Sequence, residues 1–250
     1  MHVETLGPCT LVQGDCMEYM HGMADGCVDA VVTDPPYGVN FTGKAGHYRN
    51  NPNARRTDTY SMYEDTEENW IAIILPAIEM AISLADCAAI CMAETRIFDM
   101  PKGNLGGFFM PNGCGRSAWG FQCFMHVVYY GRDPYMARGL GSRPNGKYGV
   151  YGNDSNTINH PCAKPLAVMR WLVARVSLPG QTVFDPFMGS GTTGVACVQT
   201  GRKFIGCEID EHYFNVAKTR IEAALMQPRL LDVEPPPPLR QGELDACHDA

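Results

Sequence analysis

Apolar residues along this chain fall into short unbroken runs, separated by longer stretches with helical spacing. That is the pattern of strands buried on both faces alternating with crossover helices. Thr10 to Gln13 predicts a short strand ending at Gly14-Asp15, Cys16 to Met23 a helix, and Cys27 to Val32 a second strand. The two strands are parallel if the helix crosses over, which places Asp15 and Asp34 at adjacent strand ends on one sheet edge. Glu64 to Leu84 is helical in pattern, with Pro76 as a kink or break, and Cys87 to Met92 is another buried strand. In the second half, Pro165 to Ser177 is an amphipathic helix with Leu166, Met169, Leu172, Val173 and Val176 on one face. Gln181 to Phe184 then predicts a strand, Gly191 to Thr200 a helix, Lys203 to Cys207 a strand and Asp210 to Leu225 a helix. This succession specifies an α/β fold with a doubly wound, mostly parallel sheet.

Three stretches escape the pattern. Residues 38–63 are polar, rich in Gly and Asn, and long for a connection inside a domain, which predicts a mobile loop over the end of the second strand. Residues 101–159 are rich in Gly, Asn and Pro, broken by one strand pattern from Phe121 to Tyr130. Residues 229–250 carry Pro235 to Pro238 and a net charge of −3, and predict a disordered tail after a single domain over 1–228.

The formal charge of −7 argues at first against a nucleic-acid partner, but its distribution changes the picture. Residues 100–170 are net +6 and residues 42–60 net +3. In the first of these, Trp119, Phe124, Tyr129, Tyr130, Tyr135, Tyr148 and Tyr151 are interleaved with arginines, a mixture suited to phosphate contact plus base stacking. The alternative is that half of these rings are core. Eleven cysteines, an odd count without a C-x-x-C pair, sit mostly inside apolar runs as buried thiols do. Cys114, Cys123 and His126 match no zinc spacing, so no metal is expected. No run of 18 apolar residues and no basic, apolar leader at Met1-His2-Val3-Glu4 predict a soluble cytoplasmic protein with no membrane partner.

The chemistry gathers at two strand ends. Asp34-Pro35-Pro36-Tyr37 offers a carboxylate, a carbonyl held by φ-locked prolines, and an aromatic ring. Asp34 and the Pro35 carbonyl can each accept one N–H of an amino group while Tyr37 stacks on the ring that bears it. A bare turn is the other reading of the same residues. The second motif is Phe184-Asp185-Pro186-Phe187-Met188-Gly189-Ser190-Gly191-Thr192-Thr193, at a strand-to-helix turn, with Glu208 ending the next strand. Its G-x-G-x-x-G spacing resembles a dinucleotide fingerprint. Asp185 would repel a pyrophosphate, however, and welcome an ammonium group, so S-adenosyl-L-methionine fits better than NAD.

With both motifs in view, the chain resembles the amino-methylating DNA methyltransferases. The likeness is to the permuted group in which Asp-Pro-Pro-Tyr precedes the cofactor glycines. Gly14-Asp15, Asp34 to Tyr37, His160 to Pro165, Phe184 to Thr193 and Gly206 to Asp210 fall in that group's order. The resemblance implies a Rossmann-like fold, S-adenosyl-L-methionine as cofactor and DNA as partner, with residues 101–159 as an inserted target-recognition segment. It implies that Asp34, Pro35, Pro36 and Tyr37 hold the flipped base. Asp185, Phe187, Gly189, Ser190, Gly191, Thr192 and Thr193 would hold the methionine end of the cofactor, Glu208 its ribose and Asp15 its adenine, with Lys164 near its carboxylate. His160 is read as structural. Lys44, Arg55, Arg56, Arg116, Arg132, Arg138, Arg143 and Lys147 are the candidate DNA contacts. The sequence departs from the group at Ala85-Asp86-Cys87, where a proline-glycine-glycine turn is common, which puts the central helix in question.

An aspartate opening the first motif leans toward adenine N6, with cytosine N4 as the alternative. Other readings are a catalytically silent DNA-binding protein, an NAD-dependent oxidoreductase, and methylation of RNA or a protein glutamine. A homodimer is compatible with the sequence.

Overall fold

The computed structural model describes residues 1–40, 63–112, 115–117, 119–151 and 163–227. Residues 41–62 of the loop predicted over 38–63, His160 and the predicted tail 229–250 lie outside these residues, as do Lys44, Arg55 and Arg56.

The chain builds eleven strands: β1 (His2–Leu6), β2 (Cys9–Gln13), β3 (Val28–Thr33), β4 (Ala85–Met92), β5 (Asn104–Phe109), β6 (Gly115–Ser117), β7 (Gly120–Gln122), β8 (Phe124–Gly131), β9 (Gly146–Tyr148), β10 (Thr182–Asp185) and β11 (Lys203–Glu208). Nine form one sheet in the order β1-β2-β11-β10-β3-β4-β8-β5-β9, and β6 pairs with β7 in a separate hairpin. From β2 to β4 all neighbours are parallel; β1 joins β2, and β8 joins β4 and β5, antiparallel. The expectation of adjacent first and second strands is corrected here. β10 and β11, from the C-terminal half, stand between β2 and β3, because the apolar edges of both halves complete each other in one sheet.

The helices are α1 (Cys16–Met20), α2 (Glu67–Asn69), α3 (Leu75–Ser83), α4 (Leu166–Val176), α5 (Thr192–Gln199) and α6 (Glu211–Met226). Pro76 does not break the helix in front of β4. Trp70–Ile74 winds as a π-helix, with the Leu75 N–H bonded to the Trp70 carbonyl, so α2 runs on into α3. A proline ring crowds the carbonyl four residues earlier, and a widened turn just before it relieves that contact. α1, the π turn and α3 cover one face of the sheet through Met20, Trp70, Ile74 and Ile78, all buried. α4, α5 and α6 cover the other through Leu172, Val173, Cys197, Phe214 and Ile221. This is the three-layer α/β architecture expected.

Residues 101–159 are less of an insertion than their composition suggests. They supply β5, β8 and β9 to the main sheet, where Phe108 is buried edge-on to Trp171 with ring centroids 5.0 Å apart. Glycines at 106 and 107 disguise β5. β5 packs so closely that a Cβ on Gly107 would lie 2.1 Å from the Met125 carbonyl oxygen.

Candidate active site at the carboxyl edge of the sheet

Four adjacent parallel strands each end in an acidic residue: β2 in Gly14-Asp15, β11 in Glu208, β10 in Asp185, and β3 just before Asp34. The chain leaves β10 and β3 toward opposite faces of the sheet, through α5 and through the α2–α3 helix. The crevice between those strands is therefore the switch point where α/β folds bind ligands.

Asp185 is buried, 2% exposed, and fully engaged. It accepts from the Thr33 hydroxyl at 2.6 Å, the Thr193 hydroxyl at 2.6 Å and the Phe187 N–H at 3.1 Å. Burial pushes its carboxyl up to about 6, with the two hydroxyls pulling the other way. The Thr33 bond spans the switch point and ties the two motifs together. Glu208 accepts from the N–H groups of Gly189 and Asp210, both at 2.9 Å, one on each oxygen. Burial raises it to about 7. Each of its oxygens retains a lone pair for a hydroxyl donor. Burial thus holds the carboxyls at the ends of β10 and β11 above the usual carboxylate range.

The glycine turn is shaped by close packing. Gly191 precedes α5 at φ +77°, and a Cβ there would meet Ala217 of α6 at 2.8–2.9 Å. Phe187 is half-buried beside the turn, and Ser190, Thr192 and Thr193 are buried. Arg220, which the sequence reading missed, reaches from α6 and donates to the Ser190 carbonyl, to Ser190 Oγ at 3.0 Å and to Thr192 Oγ1 at 3.2 Å. Nothing but helical spacing marks it in the sequence. Asp15 caps α1, accepting from Met17 N–H at 2.7 Å and Glu18 N–H at 3.4 Å, and is exposed.

At the first motif Pro35 is buried and Asp34 and Tyr37 are half-buried. Asp34 Oδ1 accepts from the Tyr37 hydroxyl, and Oδ2 lies 2.5 Å from Lys164 Nζ. Lys164, expected beside the cofactor's carboxylate, thus pairs with Asp34 and lies 5.5 Å from the Tyr37 ring centroid. The reason is spatial: it precedes α4, which starts at the same sheet edge. The backbone leaving Tyr37 is held by Arg96 and Asp65, two more residues without a sequence signal.

The candidate DNA contacts divide. β8 runs antiparallel to β4, so Arg132, which follows it, bonds the Asp86 carbonyl near the start of β4, at the edge opposite Asp34. Arg138 follows on the same side, and the Arg143 carbonyl accepts from Arg175 at the end of α4, while its guanidinium lies 4.0 Å from the Tyr135 ring centroid. Sequence proximity grouped these arginines with the site; strand direction separates them. Lys147 is exposed on β9, next to Tyr148, which stacks on Phe109 with centroids 5.8 Å apart. β5 and β9 end at the edge where β3 ends, so this pair and Phe124 belong to the Asp34 side. Arg116 lies in β6, which pairs with β7, and Trp119 and Phe121 of the same hairpin are exposed. Tyr129, Tyr130, Tyr135 and Tyr151 pack inward, so the rings divide between core and surface.

No helix among the described residues is long and apolar enough to cross a membrane, and none of their His, Cys, Asp and Glu side chains form a metal cluster.

Solved structures share this arrangement at low sequence identity. An M1.HpyAVI–SAM complex superposes with a TM-score of 0.59 at 21% identity, covering 85% of this chain and 98% of that one. The PvuII DNA methyltransferase, described as cytosine-N4-specific, gives 0.60 at 14% identity, covering 86% and 87%. These likenesses establish the fold. Residues 137–219 match the N6_N4_Mtase family model, described as DNA methylase. The putative methylase YubD of Escherichia coli (strain K12) is 27% identical over 231 residues, 85% of this chain and 89% of that protein. By these matches the chain is similar to the amino-methylating DNA methyltransferases. The DNA adenine methyltransferase YhdJ of Escherichia coli (strain K12) is 44% identical over 66 residues, 26% of this chain and 22% of that protein.

Proposed function

We propose that this chain is an amino-methylating DNA methyltransferase that moves a methyl group from S-adenosyl-L-methionine to the N6 amino group of an adenine flipped out of DNA. The observation that carries the reading is the Thr33–Asp185 hydrogen bond, which brings the amino-binding motif and the glycine turn to one crevice. The residues fit the cofactor: two carboxyls raised by burial suit its positive charge, the turn around Gly191 leaves no room for a Cβ, and Glu208 retains lone pairs for ribose hydroxyls. Arg220, behind Ser190 and Thr192, adds positive charge on the side suited to its carboxylate. When bound, the cofactor supplies an electrophilic methyl carried on a sulfonium.

The protein's task is to make a poor nucleophile attack. The lone pair of an aromatic amine is delocalised into its ring. Asp34 and the Pro35 carbonyl, accepting its two N–H bonds, turn the lone pair out of that ring, and Asp34 stabilises the positive charge that develops on nitrogen. The extra proton then leaves through the Asp34 side to solvent. Tyr37 offsets part of the unstacking cost of a few kcal/mol. Each Asp34 oxygen holds one protein donor, from the Tyr37 hydroxyl and from Lys164, and a carboxylate oxygen can accept a second, so the amino group binds beside them.

Asp at the head of the motif supports adenine, and the name of the YhdJ relative agrees; the PvuII structure keeps cytosine N4 as the second reading. Modification-sensitive sequencing of DNA from a methylation-deficient host expressing the chain tests it. N6-methyladenine in a defined motif is expected. N4-methylcytosine would overturn the base assignment, and unmodified DNA with cofactor binding intact would overturn DNA as the substrate.

A further inference from the structure

The sequence that follows Asp34 to Tyr37 is gripped from both sides by residues that no motif contains. Arg96, in the 3-10 turn Glu94–Asp99 after β4, donates from Nε to the Tyr37 carbonyl and from Nη2 to the Gly38 carbonyl, both at 2.8 Å. Its Nη1 donates to Glu67 Oε1 at 3.1 Å and Asp99 Oδ2 at 3.4 Å, and its guanidinium lies 5.7 Å from the Trp70 ring centroid. Asp99 Oδ2 also accepts from Trp70 Nε1 at 2.9 Å. The Arg96 side chain is 12% exposed. On the other side, the buried Asp65 carboxylate accepts from the Gly38 N–H at 2.6 Å and the Val39 N–H at 3.2 Å. Gly38 itself has φ +63°, and a Cβ would stand 2.6 Å from Trp70 Cβ and 2.7 Å from the Thr66 carbonyl oxygen.

We infer that Arg96 is a positioning residue for Tyr37, setting the aromatic face that receives the flipped base; this rests on the role proposed for Tyr37 above. A planar fork reaching two successive carbonyls fixes both the position and the direction of the backbone that carries the ring. One carbonyl alone would leave the peptide free to rotate about that contact. Trp70 and Glu67, from the helix on the far side of the loop, hold the guanidinium from behind, so the fork cannot swing away. Asp34 needs no such device, because it follows directly from β3. Tyr37 lies three residues further on, past the prolines, where the strand no longer constrains it.

A purely structural Arg96 would staple the π turn to the 3-10 turn, and its loss would act on folding alone. The two roles separate in one experiment. Methylation of unmethylated DNA from a methylation-deficient host is measured for wild type, Arg96→Ala and Arg96→Lys, alongside thermal unfolding and equilibrium binding of S-adenosyl-L-methionine. A second substrate carries the modified sequence with the target base opposite an abasic site, which lowers the cost of flipping. For a positioning role, kcat on duplex DNA falls about 10–100-fold in Arg96→Ala, in line with the sensitivity of rate to misplacement of about 1 Å. Cofactor affinity stays within about twofold, and the abasic substrate restores much of the lost rate, because a base already unpaired depends less on capture by the ring. Arg96→Lys should fall between, since an ammonium lacks the fork. Wild-type rates in both variants overturn the inference while leaving the function standing. So does a joint loss of cofactor affinity and melting temperature in both variants with no rescue by the abasic duplex. A wild type that methylates no DNA overturns the function, and this role with it.

Discussion

Lys164 Nζ lies 2.5 Å from Asp34 Oδ2, while the Tyr37 hydroxyl occupies Oδ1. The carboxylate proposed to receive the target amino group is thus held in place by two residues of the protein. Lys164 and Asp34 are each 20% exposed on the side chain, so the pair is neither fully solvated nor fully buried. Removing Lys164 leaves a partly buried anion without its partner. Removing Asp34 leaves the cation.

Asp34→Ala should abolish methylation while leaving cofactor affinity nearly unchanged, because most residues proposed to hold the cofactor gather at β10 and β11, across the switch point. Isothermal titration with S-adenosyl-L-methionine beside a methyl-transfer assay checks this. A parallel loss of binding would move Asp34 into the cofactor site. Lys164→Met should lower the unfolding free energy by about 1–2 kcal/mol, between the exposed and buried limits for an ion pair.

Cofactor binding should weaken as pH falls through about 7 and again through about 6, the ranges to which burial raises Glu208 and Asp185. A cationic ligand prefers the ionised carboxyls, so it lowers both pKa values and releases protons on binding near pH 6.5. Calorimetry in two buffers of different ionisation heat measures that release, and proton uptake would contradict it. For the ligand-free fold the sign is opposite. Raised carboxyl pKa values mean that the folded state holds protons more tightly than the unfolded one. Their contribution to stability is therefore full below about pH 4 and lost as pH rises to about 7.

Gly191→Ala should cost about 1–3 kcal/mol of stability and most of the cofactor affinity. The residue sits at φ +77°, where a side chain is strained, and the new methyl would meet Ala217 at under 3 Å. Gly139→Ala is the control, at φ +69° with nothing within 4 Å. It should show the backbone strain without the packing loss, and so leave cofactor affinity in place. Equal loss of affinity in both would show that the close packing plays no part.

The two sheet edges should respond differently to substitution. Tyr148→Ala, at the edge where β3 ends, should weaken DNA binding severalfold, in keeping with about 1 kcal/mol or more per stacked base. Arg132→Ala and Arg138→Ala, at the opposite edge, should leave it unchanged. Fluorescence anisotropy with labelled duplex at fixed salt reads both. A large effect at the arginines with none at Tyr148 would reverse the assignment of the DNA face.

The fold class, most parallel strands and both motifs were legible in the chain because each rests on local pattern: an apolar run makes a buried strand, and turn residues mark its end. β1, β5 and β9 were not legible. β1 is mostly exposed, β9 has three residues, and β5 contains two glycines where another backbone passes close, so none carries an apolar signature. Pro76 misled in the other direction, since a one-residue widening of the helix absorbs what proline forbids in a regular turn.

Chain order puts a carboxylate, a carbonyl and an aromatic ring together at one strand end, and an acidic residue and a glycine turn at another. These are neighbours along the chain, and covalent connection alone keeps them close. Long-range packing slots β10 and β11 between β2 and β3, so that Thr33 meets Asp185 across the switch point. It alone turned Lys164 toward Asp34, brought Arg96, Asp65 and Arg220 to the two motifs, and carried Arg132 to the far edge. Those relationships depend on strand order and direction, which arise when apolar faces distant in sequence bury one another, and no local pattern of residues encodes them.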